Sequence, residues 1–327
     1  MVNELGRKQT IEIMNEYADH GQSFLFIISF DMEHNFVMNP GEATDAGIRY
    51  RTPFHASKDP DYRVPEELIF RKFPVSKDRY RKAFEFLQER IRMGDSYLIN
   101  LTFPSLLETN LDLETIYAKS EAPYKLLMPG QFVLFSPEAF IRIEKDQIYS
   151  HPMKGTIDAS IPDAERLLLN DRKERAEHHT IVDLIRNDLS MIAHDVRMKR
   201  FKYLDLIRTR EKDLYQMSSE ITGRLEPGYR QKMGELVFRM LPAGSVTGAP
   251  KKRTLELIRE AEGYDRGYYT GIFGYFDGRD LDSAVMIRFI EKQGEQLIYK
   301  SGGGITYMSE WEKEYNELCD KVYVPFY

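Results

Sequence analysis

The segment QFVLFSPEAFIRIEKDQIYSHPMKGT, residues 131–156, contains three short runs rich in β-branched and aromatic residues, separated by residues typical of turns. The runs Gln131–Phe135, Ala139–Ile143 and Gln147–His151 predict a meander of strands. The segment ends in a turn that places Lys154 between an apolar residue and a glycine. A lysine desolvated in such a place can lose its proton near neutral pH and act as a nucleophile. A lysine on an exposed surface turn is the alternative.

Glu138 lies in the first turn of the same segment, upstream of Lys154. A carboxylic acid near a nucleophile can donate the proton that a leaving group needs. The segment therefore predicts an acid and a nucleophile, Glu138 and Lys154, that work together if the fold brings them close.

Further strands and helices are predicted on both sides of this segment. The predicted strands are Phe24–Phe30, Asn35–Met38, Tyr97–Phe103, Gly271–Phe276, Ser283–Ile290 and Gln296–Ser301, and the predicted helices are Ser76–Met93, Asp112–Ser120, Asp171–Ile192, Arg230–Leu241, Pro250–Glu262 and Glu310–Val322. The polar stretch Glu42–Pro65 predicts a long loop. Because strands are grouped, with long helices between the groups, the order favours an α+β fold with antiparallel sheets in one domain.

The composition is that of a soluble globular protein, with 42% hydrophobic and 30% charged residues among 327. The net charge of −6 argues against nucleic acid or an anionic membrane as the main partner. The apolar run Phe24–Phe30 is too short to span a bilayer, and the N-terminus shows no signal-peptide pattern. The single cysteine, Cys319, excludes an internal disulfide and indicates a reducing compartment. We expect a cytoplasmic protein.

The helix predicted from Asp171 carries two carboxylates in line with its apolar stripe. Glu174, Glu177 and Ile181 fall at positions i, i+3 and i+7, so the carboxylates should face the core. A buried carboxylate must be paired, hydrogen-bonded or bound to a metal. The alternative is an ordinary helix surface on which Lys173 and Arg175 pair with these carboxylates.

The C-terminal helix has a similar pattern. Ser309 and Glu312 match the capping box that starts a helix. The apolar stripe consists of Trp311, Tyr315, Leu318 and Val322, and the face beside it of Glu310, Glu314, Glu317 and Lys321. Carboxylate oxygens from two helices are the ligands that Mg²⁺ prefers. A solvated face with a Glu317–Lys321 ion pair is the alternative.

Two glycine-rich runs and one arginine complete the candidates. Gly244–Lys251 opens a helix, where backbone N–H groups attract anions, but it lacks the ending of a nucleotide-binding P-loop. Ser301–Ile305 follows a predicted strand and would let a ligand lie against bare backbone, unless it is only a tight turn. Tyr269 and Arg288 lie on adjacent predicted strands. Arg288 suits a bidentate grip on a carboxylate or, alternatively, a simple ion pair.

Taken together, these motifs resemble those of the chorismate-utilising enzymes, which include anthranilate, aminodeoxychorismate, isochorismate and salicylate synthases. The resemblance covers about Val75 to Tyr327. The matching motifs are Gly94–Tyr97, Ser136–Glu138, Pro152–Thr156, Asp183–Asp188, Gly244–Lys251, Gly302–Ile305 and the Glu314/Glu317/Lys321 helix. The resemblance implies antiparallel sheets packed as a two-layer core flanked by helices. Residues 75–327 would form the chorismate-binding catalytic domain, and residues 1–74 a short N-terminal part of the same fold.

Within the family, the residue at position 154 separates the activities. Anthranilate and isochorismate synthases carry a small residue there, whereas a lysine resembles component I of aminodeoxychorismate synthase, of the p-aminobenzoate branch of folate synthesis. The resemblance implies that Mg²⁺, held by Glu177 and Glu314 with Glu174 and Glu317 close by, binds the ring carboxylate of chorismate. Lys154 would attack the ring as the 4-hydroxyl leaves, protonated by Glu138, and ammonia would then displace the lysine.

The resemblance also assigns the substrate-binding residues and a partner. The positions that match carboxylate-binding residues are Thr247, Tyr269, Arg288, Gly302, Gly303 and Lys321. Because the chain has no cysteine in a nucleophile context, ammonia would come from a separate glutamine amidotransferase subunit. Two positions depart from the family: Leu98 replaces the glutamine or lysine of relatives, which counts against isochorismate synthesis, and Gln216 replaces a frequent histidine. Anthranilate synthase component I and a non-catalytic chorismate-binding subunit remain alternatives.

Overall fold

The structure, a computed structural model, describes residues 2–58, 68–207 and 213–325. The helices are α1 (Arg7–Asp19), α2 (Pro40–Asp45), α3 (Lys77–Arg92), α4 (Leu113–Lys119), α5 (Ala164–Asn170), α6 (Arg172–Ser190), α7 (Met233–Arg239), α8 (Lys251–Glu262) and α9 (Trp311–Asp320). Strands β1 to β9 are Phe24–Ile28, Asn35–Met38, Arg49–Arg51, Phe70–Phe73, Leu98–Thr109, Tyr124–Met128, Phe132–Ser136, Ala139–Glu144 and Gln147–Ser150. Strands β10 to β17 are Met153–Asp158, His194–Ile207, Leu214–Arg224, Gly248–Ala249, Ile272–Phe276, Leu281–Val285, Phe289–Gln293 and Gln296–Ile305.

The strands form two sheets, in which all the pairings described are antiparallel, so the predicted α+β class is confirmed. The first sheet has the order β10-β12-β9-β8-β15-β14-β1-β2, with β11 also on β12. The second has the order β13-β5-β17-β16-β7-β6-β3, with β4 also on β5. Within the described ranges, no helix combines the length and apolar character needed to cross a membrane.

The two sheets pack face to face, and helices cover both outer faces. Strand β1 shows why its sequence is apolar throughout: Leu25 and Ile27 pack between the sheets, whereas Phe24, Phe26 and Ile28 pack against helices. Helices α1, α6 and α7 lie on the first sheet, and α3, α4, α8 and α9 on the second. The sequence of a strand that is buried on both faces is a continuous apolar run, whereas a strand buried on one face alternates between apolar and polar residues.

Helix α3 follows the prediction closely. Ser76 accepts a hydrogen bond from the backbone N–H of Arg79 and caps the helix, which ends before Gly94. An apolar stripe at positions i, i+4, i+7 and i+11 is buried against the second sheet and consists of Tyr80, Phe84, Leu87 and Ile91. Strand β5 is longer than predicted, because its paired length extends to Thr109.

The prediction of a long loop at Glu42–Pro65 was wrong for its first part. Asn39 and Glu42 form a reciprocal capping box that starts the short helix α2, and β3 then pairs with β6. Residues 59–65 of that stretch lie outside the described ranges. Helix α1 was not predicted, because its buried face holds only Thr10, Met14 and Ala18 and so shows little apolar contrast.

Two expected strand arrangements were also wrong, because the chain changes sheets within them. Strand β7 lies in the second sheet, whereas β8 and β9 lie in the first, so the expected meander is split at Pro137 and Glu138. The expected strand Ser283–Ile290 is likewise split into β15 and β16. Arg288 lies between them with a left-handed φ of 52°, which a continuous strand does not contain.

The C-terminal elements also differ in detail from the prediction. Glycines 302–304 lie inside β17, paired with β5, rather than after a strand. The capping box of Ser309 and Glu312 does not form: Glu310 is the N-cap of α9 and no side chain caps it. The Ser309 hydroxyl instead accepts a hydrogen bond from the backbone N–H of Thr306, which fixes the turn between β17 and α9.

A buried ion pair anchors the loop that precedes α8. Arg266 and Glu262 are both about 1% exposed and lie 2.6 Å apart. The Arg266 guanidinium also donates to the carbonyl of Val246 at 2.9 Å and to that of Asn100 at 2.8 Å. The pair therefore ties the loop around Thr247 to strand β5.

We expect Asp282→Asn to stabilise the protein at neutral pH. Asp282 is buried on β15 and accepts a hydrogen bond from Tyr124 at 2.9 Å, and burial raises the pKa of Asp282 to about 6. Because its folded pKa lies above the ordinary value of 3.8, its favourable contribution is complete below that value and is lost as the pH rises through about 6. The gain should be on the order of 1–3 kcal/mol at pH 8 and close to zero at pH 4.

Urea denaturation at the two pH values tests this expectation, with the exposed Asp183→Asn as the control. An equal gain at pH 4 and pH 8 would contradict the assignment to ionisation of Asp282.

Candidate active site

Lys154 lies on β10, where a glycine brings it beside helix α6. Gly155 has a left-handed φ of 74°, and a Cβ there would lie 2.8 Å from Glu174 Oε2 and 2.9 Å from Leu168 Cδ1. The absence of a side chain thus lets the Glu174 carboxylate approach the strand. Lys154 Nζ lies 3.4 Å from Glu177 Oε2, and its side chain is 22% exposed, so it is not a surface turn lysine.

The carboxylates of α6 face the core, as the stripe predicted. Asp171 caps the helix by accepting a hydrogen bond from the backbone N–H of Glu174. Glu177 is 4% exposed, and its Oε1 makes no hydrogen bond to any residue that the structure describes. Burial raises the pKa of Glu174, and the charge of Glu177 raises it further.

Helix α9 brings two more carboxylates to the same place. Glu314 is buried and pairs with Lys173 of α6 at 2.6 Å, while Lys173 also lies 3.7 Å from Glu177. Glu317 pairs with Lys321 at 2.6 Å. Burial would raise the pKa of Glu317, but Lys321, together with the charges of Lys154 and Lys173, outweighs burial and lowers the pKa to about 2. Helices α6 and α9 therefore contact each other through their glutamates and the Lys173 ammonium.

The glycines of β17 form the floor beneath these carboxylates. A Cβ on Gly303 would lie 3.3 Å from Glu317 Oε1 and 3.6 Å from Glu314 Oε2. One on Gly304 would lie 3.4 Å from Lys154 Nζ and 3.5 Å from Glu177 Oε2. The bare backbone thus faces the acidic cluster from both helices. Lys321 Nζ donates to the carbonyl of Gly302 at 2.8 Å.

Glu138 and Arg288 lie where the chain changes sheets. The backbone N–H of Phe135 donates to the carbonyl of Arg288 at 3.2 Å, which holds the two crossings side by side. Burial raises the pKa of Glu138, while a hydrogen bond from Ser245 and the charges of Lys154, Lys321 and Arg288 oppose the rise. A carboxyl with a raised pKa is suited to donating a proton.

The pKa of Lys154 departs from the expectation of an easily deprotonated amine. Burial lowers it, but the carboxylates of Glu177, Glu317, Glu174 and Glu138 together outweigh burial, so the pKa lies above its ordinary value. Desolvation alone was therefore the wrong guide, because it neglected the four carboxylates that the fold gathers around the amine.

The other predicted substrate-binding residues lie around the crossings. Tyr269 precedes β14 and Arg288 falls between β15 and β16, so neither lies on a strand, contrary to prediction. Burial raises the pKa of Tyr269, and the charges of Glu262 and Glu138 add to this rise while those of Arg266 and Arg288 oppose it, so Tyr269 and Arg288 both lie near Glu138. The Arg288 guanidinium lies 5.5 Å from the ring of Tyr323, and its Nε makes no hydrogen bond within the described residues. Thr247 is buried, and its hydroxyl donates to Ala243.

Two residues of the site were not recognised from the sequence. Lys173 was assigned only to ordinary helix-surface pairing, although its spacing to Glu177 was visible. Its contact with Glu314 joins residues 141 positions apart, which spacing within a helix cannot indicate. Ser245 hydrogen-bonds Glu138 from a loop whose role was predicted only for its backbone.

The carboxylates of α6 and α9 suit Mg²⁺ by their chemistry. They offer buried oxygens from two helices, and Glu177 Oε1 makes no hydrogen bond within the described residues. Across the described ranges, no three Asp, Glu, His or Cys side chains stand close enough together to hold a metal as they are. Lys173 bridges Glu177 and Glu314 in this arrangement. The oxygens thus have the chemistry that Mg²⁺ prefers, and in this arrangement the Lys173 ammonium pairs with two of these carboxylates.

We expect Gly304→Ala to impair the site while preserving the fold. The added Cβ would lie 3.0 Å from Leu98 Cδ1 and against both Lys154 Nζ and Glu177 Oε2. Leu98 must then shift by a few tenths of an ångström, and the methyl group occupies the floor beside Lys154 and Glu177, so turnover should fall by roughly tenfold or more. Gly6→Ala, where a Cβ meets nothing within 4 Å, is the matched control. Steady-state kinetics measure the turnover of both variants, and thermal melting shows whether the fold is preserved. Full activity in Gly304→Ala would contradict this packing.

Known proteins resemble this chain in sequence over most of its length. The family model described as chorismate binding enzyme matches residues 49–326. An uncharacterised PabA-like protein of Pasteurella multocida is 45% identical over 316 residues, which cover 96% of this chain and 98% of that protein.

Relatives that carry an activity in their names are less similar. The anthranilate synthase component 1 of Archaeoglobus fulgidus is 34% identical over 258 residues, covering 76% of this chain and 61% of that protein. The aminodeoxychorismate synthase component 1 of Salmonella typhimurium is 32% identical over 295 residues, covering 85% and 63%. The crystal structure of anthranilate synthase component I from Streptococcus pneumoniae has a TM-score of 0.70 at 21% identity and covers 95% of this chain and 84% of that one. The Streptococcus pneumoniae protein therefore has a fold similar to the fold of this chain.

Proposed function

Because the chain belongs to the family of chorismate-binding enzymes, we propose that it aminates chorismate with ammonia to give 4-amino-4-deoxychorismate, for p-aminobenzoate and folate synthesis. The observation that carries this proposal is the position of Lys154 among four glutamates, with Nζ 3.4 Å from Glu177. In this position Lys154 supplies a nitrogen nucleophile, and Glu138 supplies an acid with a raised pKa.

In this proposal Lys154 is the nucleophile and Glu138 is the acid in the replacement of the 4-hydroxyl by an amino group. The lone pair of Lys154 Nζ forms a bond to ring carbon 2, the ring double bonds shift, and the bond from carbon 4 to its hydroxyl breaks. Glu138 gives that hydroxyl a proton, so it leaves as water. Ammonia then bonds to carbon 4, the double bonds shift back, and the bond to Lys154 breaks with its electron pair returning to Nζ.

The Lys154 amine must first lose a proton. Because the pKa of Lys154 is raised, the site has to supply a group that accepts this proton. Among the carboxylates that raise this pKa, Glu174 can receive the proton without giving up a direct bond to the metal. Burial raises the pKa of Glu174, so Glu174 can hold a proton closer to neutrality than an exposed glutamate can.

We assign Mg²⁺ binding to Glu177 and Glu314, with Glu174 and Glu317 beside them or acting through water. When bound, Mg²⁺ would orient the ring carboxylate and stabilise negative charge that develops toward it. Around it, this chain provides the glycine floor of β17 and the side chain of Leu98, which is 2% exposed.

Chorismate carries two carboxylates, and Arg288 and Lys321 are two cations on the side of the site that holds Glu138. Arg288 and Lys321 both act on Glu138 electrostatically, so both lie near the reacting end of the site. With Thr247, Tyr269, Gly302 and Gly303 they form the proposed substrate-binding set. Guanidinium and ammonium donors hold carboxylates through charge-assisted hydrogen bonds.

A separate glutamine amidotransferase subunit is the proposed ammonia source. Cys319 is half-buried on α9, and burial raises the pKa of its thiol, which disfavours the thiolate that glutamine hydrolysis needs. Leu98 has no titratable group, which disfavours activation of water as the nucleophile. We propose that the reaction takes place in the cytoplasm.

Product identification tests the proposal. The purified chain is incubated with chorismate, Mg²⁺ and an ammonium salt at mildly alkaline pH. The products are separated by chromatography and identified by mass spectrometry. 4-Amino-4-deoxychorismate is the expected product. Anthranilate would instead support the second candidate, anthranilate synthase component I, which the 34% identity to such a protein favours. No product with any nucleophile would favour a non-catalytic chorismate-binding subunit.

A further inference from the structure

A small cavity adjoins Glu138 between α6, the loop at Ala243 and the ends of β8 and β15. Its volume is about 20 Å³, and a cavity needs on the order of 10–15 Å³ to hold one water-sized molecule. Its lining combines the apolar residues Ile185, Ala243 and Val285 with Glu138, His151 and Asp188. It therefore has room for one small molecule next to Glu138, the residue that we assign as the acid.

The charges around this cavity favour a neutral occupant over a cation. Asp188 is already paired with Lys251 at 2.6 Å, so its negative charge is balanced. Burial lowers the pKa of His151, which keeps the imidazole neutral and able to accept a hydrogen bond. Arg288, Lys154 and Lys321 all act on Glu138 from nearby. A buried ammonium ion would lack a free counter-charge here, whereas neutral ammonia needs only hydrogen-bond partners.

We propose that this cavity is the binding site of ammonia before it attacks chorismate, an inference that rests on the proposed amination. The hydroxyl leaves carbon 4 and the nitrogen arrives at carbon 4, so both pass the same carboxyl. After Glu138 has given its proton to the departing hydroxyl, it is a carboxylate. The nitrogen of ammonia bonds to carbon 4 and loses one proton to Glu138, which restores the acid for the next cycle. The overall exchange is ammonia in and water out.

The test narrows the cavity and follows the nucleophile. Ala243→Val adds two methyl groups to the wall, and the apparent KM for ammonium should rise roughly tenfold or more. The KM for chorismate and the shift of melting temperature that chorismate produces should not change. The matched control is Ala261→Val, a buried alanine in the core between α8 and the second sheet. A rise in the ammonium KM confined to Ala243→Val supports the site.

A second variant widens the cavity and does not depend on the first one folding. Ile185→Ala removes wall volume, so it should accept methylamine as a nucleophile, which the unchanged protein should reject. If the unchanged protein forms no aminated product, the proposed function fails and this site with it. If it aminates chorismate but Ala243→Val keeps its ammonium KM, or Ile185→Ala still rejects methylamine, the cavity is not the ammonia site and the amination stands.

Discussion

Lys154→Ala should lose amination almost completely, with kcat lowered by at least about 10³-fold, because it removes the atom that bonds to the ring. Chorismate binding should persist, since Arg288, Lys321 and the glycine floor of β17 remain in place. The loss should therefore appear in kcat rather than in the KM for chorismate.

The control for this substitution is Lys145→Ala, whose side chain is 84% exposed on the turn between β8 and β9. Turnover by product formation and binding by the chorismate-induced change in melting temperature are measured in both variants. Unchanged turnover in Lys154→Ala would refute the covalent role. Turnover lost together with chorismate binding would instead give Lys154 a binding role alone.

Glu177→Gln should weaken Mg²⁺ dependence and activity together. The substitution keeps the size of the side chain and removes the charge that lies 3.4 Å from Lys154 and 3.7 Å from Lys173. Because Mg²⁺ favours charged oxygen ligands, we expect its apparent affinity to fall by roughly 10- to 100-fold. Saturating Mg²⁺ should restore only part of the activity.

Magnesium titrations, read both by activity and by melting temperature without chorismate, separate binding from turnover. Asp183→Asn is the matched control, because Asp183 lies on the same helix with its side chain 69% exposed. A normal metal titration in Glu177→Gln would remove Glu177 from the magnesium site.

Local patterns predicted elements of the fold but not its sheet membership. The extents of α3 and α4 depend on local signals, and the predicted ranges Ser76–Met93 and Asp112–Ser120 agree with the structure. The change of sheet at Glu138 and Arg288 was not, because both flanking runs are apolar and look like ordinary strands from the sequence. Only the tertiary pairing distinguishes one interrupted strand from two strands in different sheets.

The candidate site shows the same limit. The spacing of Glu174 and Glu177 correctly indicated an inward face, since that depends on one helix. The partner of Glu314, the hydrogen bond of Ser245 to Glu138 and the raised pKa of Lys154 depend on segments far apart in the chain. Charges gathered by tertiary packing reversed the direction of a pKa that local burial alone would have lowered.

The first four strands determine how a shortened form of this protein should behave. Strand β1 is fully buried and borders β14, and β3 and β4 border β6 and β5 of the other sheet. A fragment beginning at Val75 would therefore bare strand edges in both sheets at once, and unpaired edges of this kind associate with other chains. Such a fragment should precipitate alone and recover its solubility when the missing N-terminal peptide is supplied in trans.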